Sequence, residues 1–333
     1  MLVEMVPLSI LDLVRVTEAS GVRGALDNAR DLAAHAEGWG YRRYWVAEHH
    51  NMVSIASAAT SVVIGHIAAG TQTIRVGSGG IMLPNHSPLV VAEQFGTLAE
   101  LYPNRIDLGL GRAPGTDQMT LRALRRSPAA AERFSEDVSE LQMLLGEPVP
   151  GQSIKAIPGA GTNVPLWILG SSLFGAQLAA EKGLPYAFAS HFAPQQLIAA
   201  LRIYRRYFKP SQQLTAPHAV VTINVIAADT DEEAQYLATT KLMSFTNLIR
   251  GQFQLSQPPI ESMDNYWSQS EKSQVMSMLA RTVVGSKATV ARGVADIVTE
   301  TEADEIMVVS DVYDHQKRLR SYQLLREAFE EHG

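Results

Sequence analysis

Residues 73–112 read TIRVGSGGIMLPNHSPLVVAEQFGTLAELYPNRIDLGLGR. A short β-rich run, Thr73–Ser78, is followed by a helical segment, Pro88–Leu101, and then by a second apolar run, Arg105–Leu110. The proline sits where a helix start accepts it, because its missing N–H would be unpaired there anyway. Two short strands joined by a helix are the unit of a parallel α/β protein.

The same alternation extends in both directions. Upstream, Val3–Ile10 reads as a first strand. Val22, Ala25, Leu26, Ala29, Leu32, Ala33 and Ala36 then recur at three and four residues, marking one buried stripe of a helix that stops at Gly38 or Gly40. Arg42–Ala47 is the second strand, and a small-residue helix is expected over Ser54–Ala69. Downstream, Phe134, Val138, Leu141 and Leu145 share a helical face, and residues 146–164, rich in Gly and Pro, form a surface excursion. Strands follow at Pro165–Leu169, Pro185–Ala189, His218–Ala227 and Glu305–Val309. Helices are expected at Leu173–Lys182, Pro194–Tyr207, Ala288–Thr299 and around Tyr322, Leu325 and Phe329. Eight strands, each with its helix, make a (β/α)8 TIM barrel over one domain, residues 1–333; a doubly wound open sheet is the alternative. Residues 229–286 are too long for an ordinary connection, and their middle, Gln252–Lys272, is polar and contains Pro258 and Pro259. This insertion reads as a lid over the catalytic mouth, or as a packing or dimerisation arm.

Composition narrows the partners. Of 333 residues, 46% are hydrophobic and 19% charged, enough apolar material for one large core. A net charge of −6 offers no footprint for nucleic acid or an anionic membrane. Cysteine is absent, which excludes disulfides, thiolate metal sites and cysteine nucleophiles and fits a reducing cytoplasm. Met1–Ile10 lacks a basic leader and reads as strand rather than signal peptide. The apolar stretch Val62–Ala69 is interrupted by His66 and too short to span a bilayer. The expectation is a soluble, cytoplasmic protein.

The chemistry-bearing residues lie at strand ends, where barrel active sites are built. After the second strand come Glu48, His49, His50 and Asn51. Such a group can supply a general base, cofactor hydrogen bonds or metal ligands, or be satisfied by backbone. Adjacent strand residues face opposite ways, so His49 and His50 are not expected to share an ion, and no further set of ligands completes a metal site. Gly79 and Gly80 mark either a close approach of ligand to backbone or a simple bulge. Arg112, set among glycines after the fourth strand, is a fork suited to phosphate. Gly170, Ser171 and Ser172 open a helix after the fifth strand. The serines either cap that helix or join its free N–H groups in holding an anion. His191 and Asp311, after later strands, are pocket residues or helix-start contacts. Neither a P-loop nor a dinucleotide fingerprint is present.

Glu48-His49-His50, Val76–Pro84, Arg105–Arg112 and Leu169–Ser172 occur in the order found in bacterial luciferase-type flavin monooxygenases. The chain more specifically resembles the group 1 oxidoreductases of that family, over Pro7 to about Phe329. The resemblance implies a homodimeric (β/α)8 barrel with reduced FMN in its mouth. It implies that Arg112, aided by Gly170, Ser171 and Ser172, holds the FMN phosphate. A non-proline cis peptide at Gly79–Gly80 would support the isoalloxazine ring, and His49, with Glu48 beside it, would be the catalytic base near the flavin C4a. Two positions depart from luciferase: Gly111 replaces its reactive cysteine, and Ser87 stands where it has histidine, with His86 displaced by one. These tell against the light reaction, not against flavin.

The implied activity is oxygenation of a small organic substrate by reduced FMN and O2, the flavin coming from a separate NAD(P)H:FMN reductase. Competing readings are hydride transfer with FMN or a deazaflavin, and a non-catalytic flavin-binding protein. The first competitor needs no oxygen; the second binds oxidised FMN without reacting.

Overall fold

A computed structural model describes residues 6–113 and 115–330. Eight parallel strands close into a ring: β1 (Leu8–Asp12), β2 (Arg43–Val46), β3 (Arg75–Met82), β4 (Ile106–Gly111), β5 (Leu166–Gly170), β6 (Tyr186–Phe188), β7 (Ala219–Ala228) and β9 (Glu305–Val309). β7 pairs with both β6 and β9, and β9 closes on β1. The barrel is therefore the expected one and the open sheet is excluded.

Side chains alternate between two cores, as the two-residue strand period requires. Leu8, Ile10, Tyr44, Val46, Val76, Ile106, Leu108, Ile168 and Val221 point outward to the helices. There they meet Ala25, Ala29, Leu32, Ala33 and Ala36, the buried stripe of α1 (Gly21–Gly38). Inside the ring, Leu11, Trp45, Trp167, Val220, Met307 and Val309 form a separate apolar plug, with the Trp45 and Trp167 rings edge to face at 5.0 Å.

Below this plug the barrel floor is ionic. The Arg43 guanidinium donates to Asp107 and to Glu305, both at 2.9 Å, and stacks over Trp167 at 4.4 Å. Ser9 donates to Glu305 at 2.5 Å, and Trp45 Nε1–H to Asp107 at 3.1 Å. Buried charges persist only when matched this way. With the floor filled, the open end is the mouth formed by the strand C-termini.

Several expectations are corrected. The first strand is shifted to Leu8–Asp12: Asp12 stays within it because its buried carboxylate pairs with Arg318 at 2.7 Å and accepts from Tyr44, and residues 1–5 lie outside those described. The helix expected from Ser54 begins only at Thr60 (α2, Thr60–Ala68). The preceding residues are tied to the mouth instead, with Ala56 N–H donating to Val14 O and Ser57 Oγ to Ala47 O. α3 (Pro88–Leu101), α4 (Gln118–Ala123), α5 (Phe134–Leu145), α6 (Leu173–Lys182) and α7 (Leu197–Tyr207) follow in the expected places, apart from the short α4.

The insertion is more structured than its polar composition implied. It contains α8 (Asp231–Ile249), α9 (Gln269–Met278) and a ninth strand, β8 (Thr282–Ser286), which extends β7 in parallel beyond the end of β6. Thr230 caps α8, and Ser268 with Glu271 forms a capping box on α9. α10 (Lys287–Thr301) and α11 (His315–Glu330) complete the outer layer. No helix among the described residues is long and apolar enough to cross a membrane.

Candidate active site

A cavity of about 800 Å³ opens at the mouth of the barrel. Its walls come from the loops after β1 to β6 and from α8 and the segment following it, so the insertion forms one side of it. The location follows from the fold: strand C-termini converge there while the floor is sealed.

Arg112 and the start of α6 meet at one end. β4 and β5 run in register with Gly111 opposite Leu169, so Arg112 and Gly170 leave the sheet side by side. Arg112 lies over the Phe174 ring at 4.1 Å, on the first turn of α6. Among the described residues no carboxylate pairs with it. Ser172 is the N-cap of α6, yet its hydroxyl makes no capping bond, so the simple capping reading of the serines fails there. A free guanidinium, two serines and the positive end of a ten-residue helix line one cavity, the combination that holds a phosphate. Added side-chain bulk at Gly170 would meet only Gly175 Cα at 3.9 Å, so this wall is open for close approach.

Gly79 and Gly80 line the cavity and are joined by a cis peptide. A Cβ on Gly79 would stand 2.5 Å from Leu11 Cδ1, and one on Gly80 would stand 2.8 Å from Gly109 O. Gly80 therefore excludes a larger residue against fixed backbone, whereas bulk at Gly79 would first require the Leu11 side chain to move.

The two histidines lie beyond the end of β2 and both line the cavity, but they differ in their partners. His49 faces the cavity. Its Nδ1 is buried with no partner, and burial, helped by Arg15, lowers its pKa to about 4. Its imidazole is therefore uncharged at neutral pH. Glu48 does not line the cavity: it is fully buried behind the wall. One oxygen, Oε1, is contacted by Nε2 of His50 at 2.7 Å and Nε2 of His86 at 2.8 Å, while Oε2 accepts from Met82 N–H at 3.0 Å. Burial alone would raise its pKa, but the bonds from His50 and His86 hold it at about 2. His86, which the strand-end reading did not bring to this group, joins it and gives three ligand-type atoms within 4.8 Å of one another. The cluster ties the β2 loop to the segment after β3.

His191 also lines the cavity, buried, with an unpartnered Nδ1 and a pKa lowered to about 3 by burial and by Lys241. Asp311 lies just behind, in a neighbouring crevice, and reaches the cavity through Arg15 and Lys241, which both bond to it. Arg15 and Lys241 escaped the sequence reading. Arg15 follows β1 and had a strand-end signal; Lys241 sits inside a helix of the insertion and had none.

The sequence matches a family model, luciferase-like monooxygenase, over residues 6–305. The chain belongs to that family. A luciferase-like monooxygenase of Escherichia coli K12 is 53% identical to it, covering 97% of each chain. The N-acetyl-S-alkylcysteine monooxygenase of Bacillus subtilis is 30% identical over 97% of this chain and 98% of its own. Among solved structures, apo-MsnO8 is similar at TM-score 0.86 and 35% identity, covering 98% of both chains. More distant structures share the fold alone. They include the oxygenating constituent of 3,6-diketocamphane monooxygenase from Pseudomonas putida in complex with FMN (TM-score 0.73, 15% identity, 97% of both chains) and an F420-dependent secondary alcohol dehydrogenase (TM-score 0.68, 15% identity, 98% of this chain and 99% of that one). As a luciferase-like monooxygenase the chain is an oxidoreductase acting on a small molecule.

Proposed function

We propose that this protein binds reduced FMN in the barrel mouth and uses O2 to oxygenate a small organic substrate. The observation that carries the reading is Arg112, without an acidic partner among the described residues, beside an α6 N-terminus whose serine makes no capping bond. FMN supplies the reducing electrons and the oxygen-reactive ring when bound. Arg112, Ser171 and Ser172 would hold its phosphate, and Gly79 and Gly80 would let the ring pass close to backbone.

The chain's own groups then shape the environment. His49, neutral and with a free Nδ1, accepts or donates a single hydrogen bond at the reacting face without adding charge there. Glu48 is a positioning residue: through His50 and the Met82 amide it fixes the wall from which His49 projects. α8 and the segment after it limit water entry, which favours oxygen transfer over release of peroxide. A separate NAD(P)H:FMN reductase would supply the reduced flavin, and a substrate of the class named for the Bacillus subtilis relative is the first to try.

The test is to mix the protein with reduced FMN, or with reduced F420, in the presence of O2 and candidate thioethers. The account expects FMN-dependent O2 consumption with oxygenated product. Hydride transfer from the deazaflavin with no oxygen uptake from FMN would instead favour the dehydrogenase-like reading.

A further inference from the structure

The cavity contains a second charged corner, distant in sequence from Arg112. Arg15 follows β1, Lys241 projects from α8, and Asp311 follows β9. Both cations bond the same carboxylate oxygen, Oδ2, at 3.1 Å from Arg15 Nη2 and 2.8 Å from Lys241 Nζ; Arg15 Nε adds a contact to Oδ1 at 3.3 Å. Lys241 is 2% exposed and Asp311 7%.

The charges do not balance. The neighbouring Arg318 is matched by Asp12 at 2.7 Å, leaving Arg15 and Lys241 to share Asp311. On the cavity side the other titratable groups are His49 and His191, whose pKa values burial lowers; on the crevice side they are Tyr313 and His315, the latter paired with Asp31 at 2.7 Å. Burial lowers the pKa of Lys241 and Asp311 opposes that shift; with both cations charged, the single carboxylate leaves one positive charge unmatched at the cavity wall. Among the described residues, Arg15 Nη1 has no acceptor, and Asp311 is the one acceptor for Lys241. A buried charge without a partner is costly, and an anion entering the cavity would relieve that cost with charge-assisted hydrogen bonds. Beside the charges the wall carries an apolar strip among polar amides: Lys241 Nζ lies 5.0 Å from the centre of the Phe245 ring, Leu248 and Met278 continue the strip, and Asn247, Gln254 and Gln257 flank it.

We propose that Arg15 and Lys241 receive a carboxylate carried by the substrate, whose apolar body lies along Phe245, Leu248 and Met278. The substrate class is therefore an organic acid with an apolar chain. This rests on the cavity being the oxygenation site, and it divides the mouth into a phosphate end at Arg112 and a carboxylate end at Arg15 and Lys241. The anionic ring of reduced flavin is the competing occupant for the same cations.

Calorimetric titration with octanoate and with octanamide, which differ in charge but hardly in shape, tests it on the full chain with and without FMN. Octanoate should bind at least about tenfold more tightly than octanamide. Arg15→Gln and Lys241→Met, each removing the surplus charge, should bring the two ligands within about twofold. Equal binding of both ligands to the unaltered protein, or no octanoate binding at all, would overturn the proposal before any variant is made. So would a preference that survives both substitutions. If the substitutions instead weaken reduced FMN relative to oxidised FMN and leave octanoate unaffected, the cations serve the cofactor and the proposal also fails. Because octanoate is titrated without FMN as well, a failure of the flavin reading appears separately, as absent FMN heat beside an intact octanoate preference.

Discussion

At the scale of single residues, position along a strand decided what could be read. Arg112, Ser171 and Ser172 were legible because they follow adjacent strands of a parallel barrel, which must bring them to one rim. Glu48 was not correctly placed by its neighbours: His49 and His50 both line the cavity, while Glu48, beyond the end of β2, is held behind the wall by His50, His86 and the Met82 amide. His86, the carboxylate's other partner, lies 38 residues away, and no local pattern announces such a contact. Three outcomes follow. Arg112→Ala should weaken FMN binding by roughly 2–4 kcal/mol, the scale for leaving a charged partner unpaired; fluorescence titration of FMN measures it. His49→Ala should leave that affinity nearly unchanged while altering the rate at which bound reduced FMN is reoxidised by O2 in stopped flow. An unaltered rate would remove His49 from the chemistry. Glu48→Gln should cost about 1–3 kcal/mol of stability in urea unfolding, because two imidazoles and an amide lose a charged acceptor.

At the scale of elements, periodicity located most helices and strands, and it failed where tertiary contacts overrode it. Residues 54–59 are small and helix-compatible, yet their backbone and hydroxyl groups bond to the mouth at Val14 and Ala47. Within the insertion, α9 left no periodic signal because it buries little: it contributes one fully buried residue, Val275, which packs with Phe245 and Leu279. β8 was invisible because TVVGS is half-exposed and borrows its order from β7. Val275→Asp should therefore loosen the insertion selectively. Hydrogen exchange is expected to quicken over residues 250–281 while the barrel strands stay protected; uniform quickening would mean that the insertion is not a separable unit.

At the scale of the whole molecule, the barrel has an ionic floor, an apolar plug and a polar mouth, and its stability should depend on pH accordingly. His49 and His191 are held at about 4 and about 3, below the ordinary imidazole value, so the unfolded chain takes up protons first. Stability is then complete above about pH 6.5 and falls as pH drops towards those values. Glu48 and Glu305, both held at about 2, extend the loss below the ordinary carboxylate range. Melting temperatures should decline steadily on acidification, and His191→Gln should flatten the upper part of the decline. The central claim concerns the mouth, at the phosphate corner formed by Arg112 and α6. Its most direct test compares FMN with riboflavin, which lacks only the phosphate, in equilibrium titrations of the unaltered protein and of Arg112→Ala. The account predicts that FMN binds far more tightly than riboflavin and that the substitution erases most of the difference. Equal affinity for the two flavins in the unaltered protein would contradict it.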